Sequence, residues 1–254
     1  MISFVGAGPG AVDLITVRGM RLISEADMII YAGSLVNPDL LKYAKEDVII
    51  YDSSKMTLEQ VTDLMIEADH EKKSVVRLHT GDQSVYGAVR EQMDILEKNH
   101  IRYESCPGVS ACFGAASSLD LEYTLPGISQ TLIITRMEGK TAVPQKEKIK
   151  LLASHHASMA IYLSTGMLDK LTEELTEGGY DKDTPAAIVY KATWPEEKRF
   201  VCTVGTLCDT ARKNNITKTA IVLVGDAIKQ SGYERSKLYD PDFTTEYRKG
   251  KDCQ

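Results

Sequence analysis

The feature that most restricts the fold is an alternation: short β-branched apolar runs, each broken by a glycine-bearing loop and followed by a stretch with helical spacing. Its sharpest instance is Val75-Val76-Arg77-Leu78-His79-Thr80-Gly81-Asp82-Gln83-Ser84-Val85-Tyr86-Gly87. Ser74 to Leu78 reads as a strand buried on both faces, and Thr80-Gly81-Asp82 breaks it. From Ser84 the spacing turns helical through Val85, Val89, Met93 and Leu96, with Ser84 placed as an N-cap. The loop then lies at the carboxyl end of a parallel strand, where open α/β sheets place their ligands. Gly81 lets backbone approach a ligand closely, and Asp82 puts a negative charge where a cationic or hydroxylated group can sit. Taken alone, the segment reads as an ordinary βα turn with an acid near a helix start. The rest of the chain has to sharpen it.

The same alternation runs through the whole sequence. Ile2 to Gly6 is a first strand, ending in Gly6-Ala7-Gly8-Pro9-Gly10-Ala11. Gly6, Gly8 and Ala11 satisfy the dinucleotide fingerprint G-x-G-x-x-G/A. Pro9 argues against it by removing an amide donor, and the helical pattern starts only near Asp13, read as the N-cap of Leu14 to Ile23. Strands over Ala26 to Tyr31, Val48 to Tyr51 and Ile101 to Ser105, with a helix over Leu58 to Ala68, complete a first α/β domain at residues 1–118. A mostly parallel sheet covered on both faces is its economical architecture. Cys106-Pro107-Gly108-Val109-Ser110-Ala111 leads into a helix of small residues. Residues 119–129, with Pro126 and Gly127, read as a linker. Alternation resumes in a second α/β domain at 130–230, with helices over Glu147 to Ser154 and Met167 to Glu177, the latter stopped by Gly178-Gly179. Residues 231–254 are polar, aromatic and weakly periodic, and read as an extended tail. The fold class is α/β, as two α/β domains, and a cleft between two such domains is a natural ligand site.

Composition removes several classes of function. At 254 residues, 43% hydrophobic and 26% charged, the chain is neither disordered nor fibrous. A net charge of −6 argues against a dedicated nucleic-acid partner. No apolar run approaches the roughly 18 residues of a membrane span, and no basic leader opens the chain, so the expected location is the cytoplasm. Cys106, Cys112, Cys202, Cys208 and Cys253 form no C-x-x-C pair and fit reduced thiols rather than a disulfide frame or zinc site. There is no G-x-S-x-G elbow, P-loop, H-E-x-x-H or calcium loop, and no metal set. His155-His156 reads as a surface pair, and His79 as a strand-end histidine bonded to backbone. The chain thus offers glycine loops, small residues, backbone and a few acids. That suits a reaction between partners already electrophilic and nucleophilic, to which protein adds proximity and alignment. Methyl transfer from a sulfonium is of this kind.

In combination, five stretches resemble the tetrapyrrole methylase family, whose members use S-adenosylmethionine. They are Val5 to Gly10 followed by Asp13-Leu14-Ile15-Thr16, Ala26-Asp27 before a strand, Gly81-Asp82 with Val85-Tyr86-Gly87, Pro107-Gly108-Val109-Ser110-Ala111, and Ala220-Ile221-Val222-Leu223-Val224-Gly225. Four more, Tyr31 to Val36, Arg136 to Thr141, Tyr190 to Pro195 and Ser236 to Pro241, are similar to the branch acting at C-11 of precorrin-4 or cobalt-precorrin-4 in cobalamin synthesis, giving precorrin-5 or its cobalt form. One departure is Gln83, where the family commonly has proline, and its effect is on loop rigidity. The resemblance implies a homodimer of two α/β domains with the cofactor in the cleft between them. It implies cofactor contacts from Pro9, Gly81, Asp82, Val85, Tyr86, Ser110, Ala111, Leu163, Ala187, Ala192, Thr219 and Ala220. Cationic hands for the carboxylates of the tetrapyrrole substrate would be Arg18, Arg77, Arg90, Arg136 and Lys191. No protein nucleophile, metal, nucleic acid or membrane partner is implied, and the product would be S-adenosylhomocysteine. Competing readings are a methylase of another ring position of a precorrin or uroporphyrinogen, a nicotinamide oxidoreductase, and a non-catalytic adenosine-ligand sensor.

Overall fold

The computed structural model describes residues 1–251. The chain divides into two compact units, residues 1–115 with 191–197, and the remainder.

In the first unit, β1 (Ile2–Gly6), β2 (Met28–Tyr31), β3 (Ile49–Asp52), β4 (Val75–His79) and β5 (Tyr103–Cys106) form a parallel sheet in the order β3-β2-β4-β1-β5. The helices between them are α1 (Val17–Glu25), α2 (Leu58–His70) and α3 (Arg90–Lys98). Both β1 and β4 are buried along their length, as continuous apolar strands in a two-sided sheet must be. Phe4, Ile30 and Val75 point to one face and pack with Val61, Met65, Met93 and Leu96 of α2 and α3. Val5, Ile29, Val76 and Leu78 point to the other and pack with Ile23 of α1 and with Leu40.

Two helix starts differ from the sequence reading. Asp13 lies in a short 3-10 turn, and the cap of α1 is Thr16, whose hydroxyl accepts from the Gly19 amide at 3.0 Å. The helix placed from Ser84 begins at Arg90 instead, because Tyr86 and Ala88 take φ of +57° and +49°, which no right-handed helix contains. Ser84 bonds Asp82 and caps nothing.

Past α4 (Ala111–Ser118), the second unit carries β6 (Leu132–Arg136), α5 (Ile149–Ala153), β7 (Ser158–Tyr162), α6 (Leu168–Glu177), β8 (Pro185–Tyr190), β9 (Lys198–Thr203), α7 (Leu207–Lys213) and β10 (Ala220–Val224). Its sheet runs β6-β7-β10-β8-β9, and only β6 and β7 are parallel. Residues 191–197 are too few for the crossover of about a dozen residues that a parallel β8–β9 pair would need, so these strands form a hairpin. Met159, Ile161, Ile188 and Val222 pack with Leu168, Leu171, Leu175 and Leu207 as its core. After β10 the described chain consists of turns, two short 3-10 segments and loop. Cys106, Cys112, Cys202 and Cys208 are free thiols, and Cys253 lies outside the described residues. No helix among the described residues is long and apolar enough to cross a membrane.

Candidate functional site

The connections of the first sheet define a switch point. β1 continues through α1 to β2, on the far side of β4, whereas β4 continues through α3 to β5, on the far side of β1. Strand order therefore reverses between β1 and β4, and the crevice outside their carboxyl ends is where such sheets take ligands.

Three loops meet there. The Ala7 amide donates to the His79 carbonyl at 2.7 Å, and Gly8 and Gly81 exchange amide-to-carbonyl bonds of 3.1 and 2.8 Å. From the β5 loop, the Gly108 amide donates to Asp82 Oδ2 at 2.8 Å. A Cβ on Gly6 would stand 2.6 Å from Gly108 N, and one on Gly108 would stand 2.2 Å from Gly81 O. Backbone cannot yield at such distances, so both positions require glycine. Gly81 has φ +61°, and a Cβ there would lie 3.5 Å from Ser110 Cα and 3.6 Å from Ala111 N. Pro9 packs against Gly114 of α4, where a Cβ would come within 2.9 Å of its ring. The structure thus gathers Pro9, Gly81, Asp82, Ser110 and Ala111, with half-buried Val85 and exposed Tyr86 on the turn that follows.

Asp82 is a tie between loops. Burial acts to raise its pKa, but bonds from the Ser84 hydroxyl, the Gly108 amide and the Ser84 amide outweigh it and hold the carboxyl below its usual range. Residues 191–197 also belong to this unit, although they join β8 to β9, and they pack on the first glycine loop. Trp194 Nε1 donates to the Pro9 carbonyl at 3.1 Å, and the Ala11 amide donates to Thr193 Oγ1 at 3.0 Å. Gly10 leaves the space for the indole, since a Cβ there would lie 2.1 Å from Trp194 Cδ1. Ala192 is buried in the same segment.

These bonds remove the basis of the nicotinamide reading. A pyrophosphate cradle needs outward amides, and those of Ala7, Gly8, Ala11 and Gly81 are already spent. Asp27 sits at the amino end of β2, away from the switch point, where it accepts from Lys45 Nζ at 2.6 Å and from the Ser74 amide at 2.7 Å.

In the second unit, Arg136 pairs in register with Tyr162, and β10 runs antiparallel to β7 with Val222 opposite Ile161. That register brings Leu163 and Ala220 to one end of the sheet, and Thr165 Oγ1 donates to the Ala220 carbonyl at 3.1 Å. Thr219 adjoins them. Ala187 lies further along β8, opposite Leu223 and fully buried. Leu163 and Thr219 have φ of +54° and +56°, and Lys191 has +46°. Left-handed backbone at non-glycine residues costs about 1 kcal/mol or more and collects at functional loops.

The cationic residues separate. Arg77 is corrected: it is buried, its Nε donates to Gln92 Oε1 and its Nη1 to the Ile30 carbonyl, both at 3.1 Å, so it braces the sheet and cannot reach a ligand. Burial lowers its pKa to about 10. Arg90 is engaged along its own helix by Asp94 and Glu97, each at 2.7 Å. Lys191 pairs with Glu196 at 3.3 Å and lies 5.2 Å from the Trp194 ring centroid. Arg18 is exposed and makes no ion pair among the described residues. Among the described residues, Arg136 bonds only to carbonyls of the loop that follows it.

Sequence reasoning missed Thr193 and Trp194 as parts of the first glycine loop, which lies 185 residues from Trp194 along the chain. His79 and Gln83 are buried, and His79 Nε2 and Gln83 Oε1 have no hydrogen-bond partner among the described residues. His79 stacks on Phe4, not on backbone, and burial followed by the Arg77 charge lowers its pKa to about 3, so it is neutral.

Comparison with known proteins agrees with this geometry. Residues 1–208 match the family described as Tetrapyrrole (Corrin/Porphyrin) Methylases. The chain is 51% identical to a cobalt-precorrin-4 C(11)-methyltransferase of Methanocaldococcus jannaschii, over 98% of this chain and 96% of that protein. It is 43% identical to one of Priestia megaterium, over 97% and 96%. The X-ray structure of a cobalt precorrin-4 methyltransferase, a cobalamin biosynthetic enzyme, matches with a TM-score of 0.88 at 43% identity, covering 89% of this chain and 95% of that one. A uroporphyrin-III C-methyl transferase from Thermus thermophilus, complexed with S-adenosyl homocysteine, shares the fold at 21% identity and a TM-score of 0.73, over 92% and 96%. On its two α/β units, its glycine junction and these matches, the chain belongs to the tetrapyrrole methylases.

Proposed function

We propose that the protein transfers a methyl group from S-adenosylmethionine to C-11 of precorrin-4 or cobalt-precorrin-4. The observation that carries this reading is the charge character of the switch point. Its three loops, residues 6–11, 80–84 and 107–111, contain one charged side chain, Asp82. With the amides of Ala7, Gly8, Ala11, Gly81, Ser84 and Gly108 already bonded within this unit, they leave few donors for a polyanion and carry a single, negative charge. Such a surface repels polyphosphate and accepts a cation, so a sulfonium with an ammonium group fits it.

The cofactor, when bound, supplies an electrophilic methyl group. Pro9, Gly81, Asp82, Val85, Tyr86, Ser110 and Ala111 are assigned to hold it from the first unit, along with Ala192. Leu163, Ala187, Thr219 and Ala220 are assigned to its adenosine on the grounds of resemblance and, for three of them, their common end of the second sheet. The chain's part is to orient the two reactants and exclude water, because the macrocycle carbon is itself nucleophilic. The choice of C-11 is supported by the names of the relatives that are 51% and 43% identical, against 32% for a uroporphyrinogen-III C-methyltransferase of Bacillus subtilis.

Calorimetry of the full chain tests the cofactor, and mass and NMR analysis of the product from a defined precorrin tests the position. S-adenosylhomocysteine is expected to bind and NAD not to bind. Binding of NAD alone would overturn the reading, and binding without methyl transfer to any precorrin would favour the sensor.

A further inference from the structure

We propose that the end of the second sheet carries a carboxylate-binding subsite made by Arg136 and Lys140, which takes one acidic side chain of the macrocycle. The identity of the ligand rests on the methyltransferase reading, while the anion chemistry rests on the geometry alone. The Arg136 guanidinium donates from Nη1 to the carbonyls of Met137 at 3.1 Å and Thr141 at 3.2 Å, and from Nη2 to that of Ala142 at 2.9 Å. These bonds curl residues 137–142 around it and shape a cavity of about 280 Å³, whose wall includes Lys140, Thr141, Leu163 and Met167.

All three acceptors are neutral carbonyls, so none of them supplies a counter-charge to the guanidinium. No carboxylate pairs with Arg136 or Lys140 among the described residues, and Glu138, the closest acid in the loop, is paired with Lys148 at 3.5 Å. Of the five guanidinium N–H donors, three are used. The two that remain are on Nε and Nη2, which share one edge of the planar fork and match the two oxygens of a carboxylate. Two cations beside the apolar side chain of Met167 suit an acid group on a short hydrocarbon arm, which describes an acetate or propionate substituent of a tetrapyrrole. Arg136 is thus both the organiser of its loop and a ligand contact, and Lys140 is the second contact that the loop presents.

The test titrates the full chain with uroporphyrin III, an octacarboxylate, following its Soret absorbance at low and moderate salt, for the wild type, Lys140→Met and Lys140→Glu. Lys140 bonds no backbone among the described residues, so these variants leave the loop standing. Lys140→Met is expected to weaken binding about threefold to tenfold and to flatten its salt dependence. Lys140→Glu should weaken it at least about tenfold, with calorimetric affinity for S-adenosylhomocysteine unchanged in both. Unchanged porphyrin affinity in Lys140→Glu would overturn the subsite and leave the methyltransferase reading intact. Failure of the wild type to bind S-adenosylhomocysteine would overturn that reading, and the porphyrin titration would still decide the anion subsite.

Discussion

Asp82 illustrates how a residue legible in the sequence acts differently from its expected role. Its carboxylate accepts from Ser84 and Gly108, so it holds two loops in register while it offers the ligand its charge. Asp82→Ala leaves the Ser84 and Gly108 amides without this partner, and the part-buried Gly108 amide alone costs about 1–3 kcal/mol. S-adenosylhomocysteine affinity should fall about tenfold or more in calorimetry, with the far-ultraviolet circular dichroism unchanged. Unchanged affinity would remove Asp82 from the site. His79 makes a separate prediction about pH. Its folded pKa of about 3 lies below the usual 6.5, so between these values the unfolded chain binds the extra proton. Stability is therefore complete above pH 6.5 and declines as pH falls toward 3. Relative to His79→Phe, which keeps the stack on Phe4, the wild type should lose about 2 kcal/mol between pH 6.5 and 5 in urea unfolding. Parallel profiles for the two proteins would show that His79 is not held neutral.

The strands and most helices of the first unit were readable because burial on both faces imposes unbroken apolar runs, and β1 and β4 obey that rule at every residue. Helix starts were less so. Ser84 and Asp13 have the right chemistry for caps, yet their side chains or backbone were already committed, to Asp82 and to a 3-10 turn. The sequence reading left the strand directions of the second sheet open, because strand spacing alone does not distinguish a crossover from a hairpin until loop length is weighed. Among the candidate site residues, Gly81 could be singled out from local pattern and Ser110 and Ala111 came from the family resemblance, whereas the burial of Arg77 could not be read: a charge within an apolar strand reads the same whether it is braced by Gln92 or reaches a ligand. The junction of loops yields its own test. Gly108→Ala places a methyl 2.2 Å from Gly81 O, against backbone on both sides. It should destabilise the protein by about 2 kcal/mol or more and abolish calorimetric binding of S-adenosylhomocysteine. A fully stable Gly108→Ala protein with normal binding would contradict the packing described.

The two units are not two consecutive lengths of chain. Residues 191–197 close the first one, so a fragment ending at residue 118 lacks Thr193 and Trp194 and leaves the Pro9 carbonyl and the Ala11 amide without those partners. Expressed alone, residues 1–118 should lose the fixed packing of the β1 loop, seen as faster hydrogen exchange of the Ala7 and Gly8 amides than in the full chain. A fragment as well ordered as the full chain would show the segment to be dispensable. The homodimer implied by resemblance is a proposal of the same order, and light scattering decides it. Trp194 has one more consequence, because the chain contains a single tryptophan. Its indole rests on the first glycine loop, so nearly all the emission excited at the red edge of protein absorbance comes from one spot beside the switch point. The protein carries its own optical reporter there, and occupancy of that crevice can be followed in solution without attaching a dye.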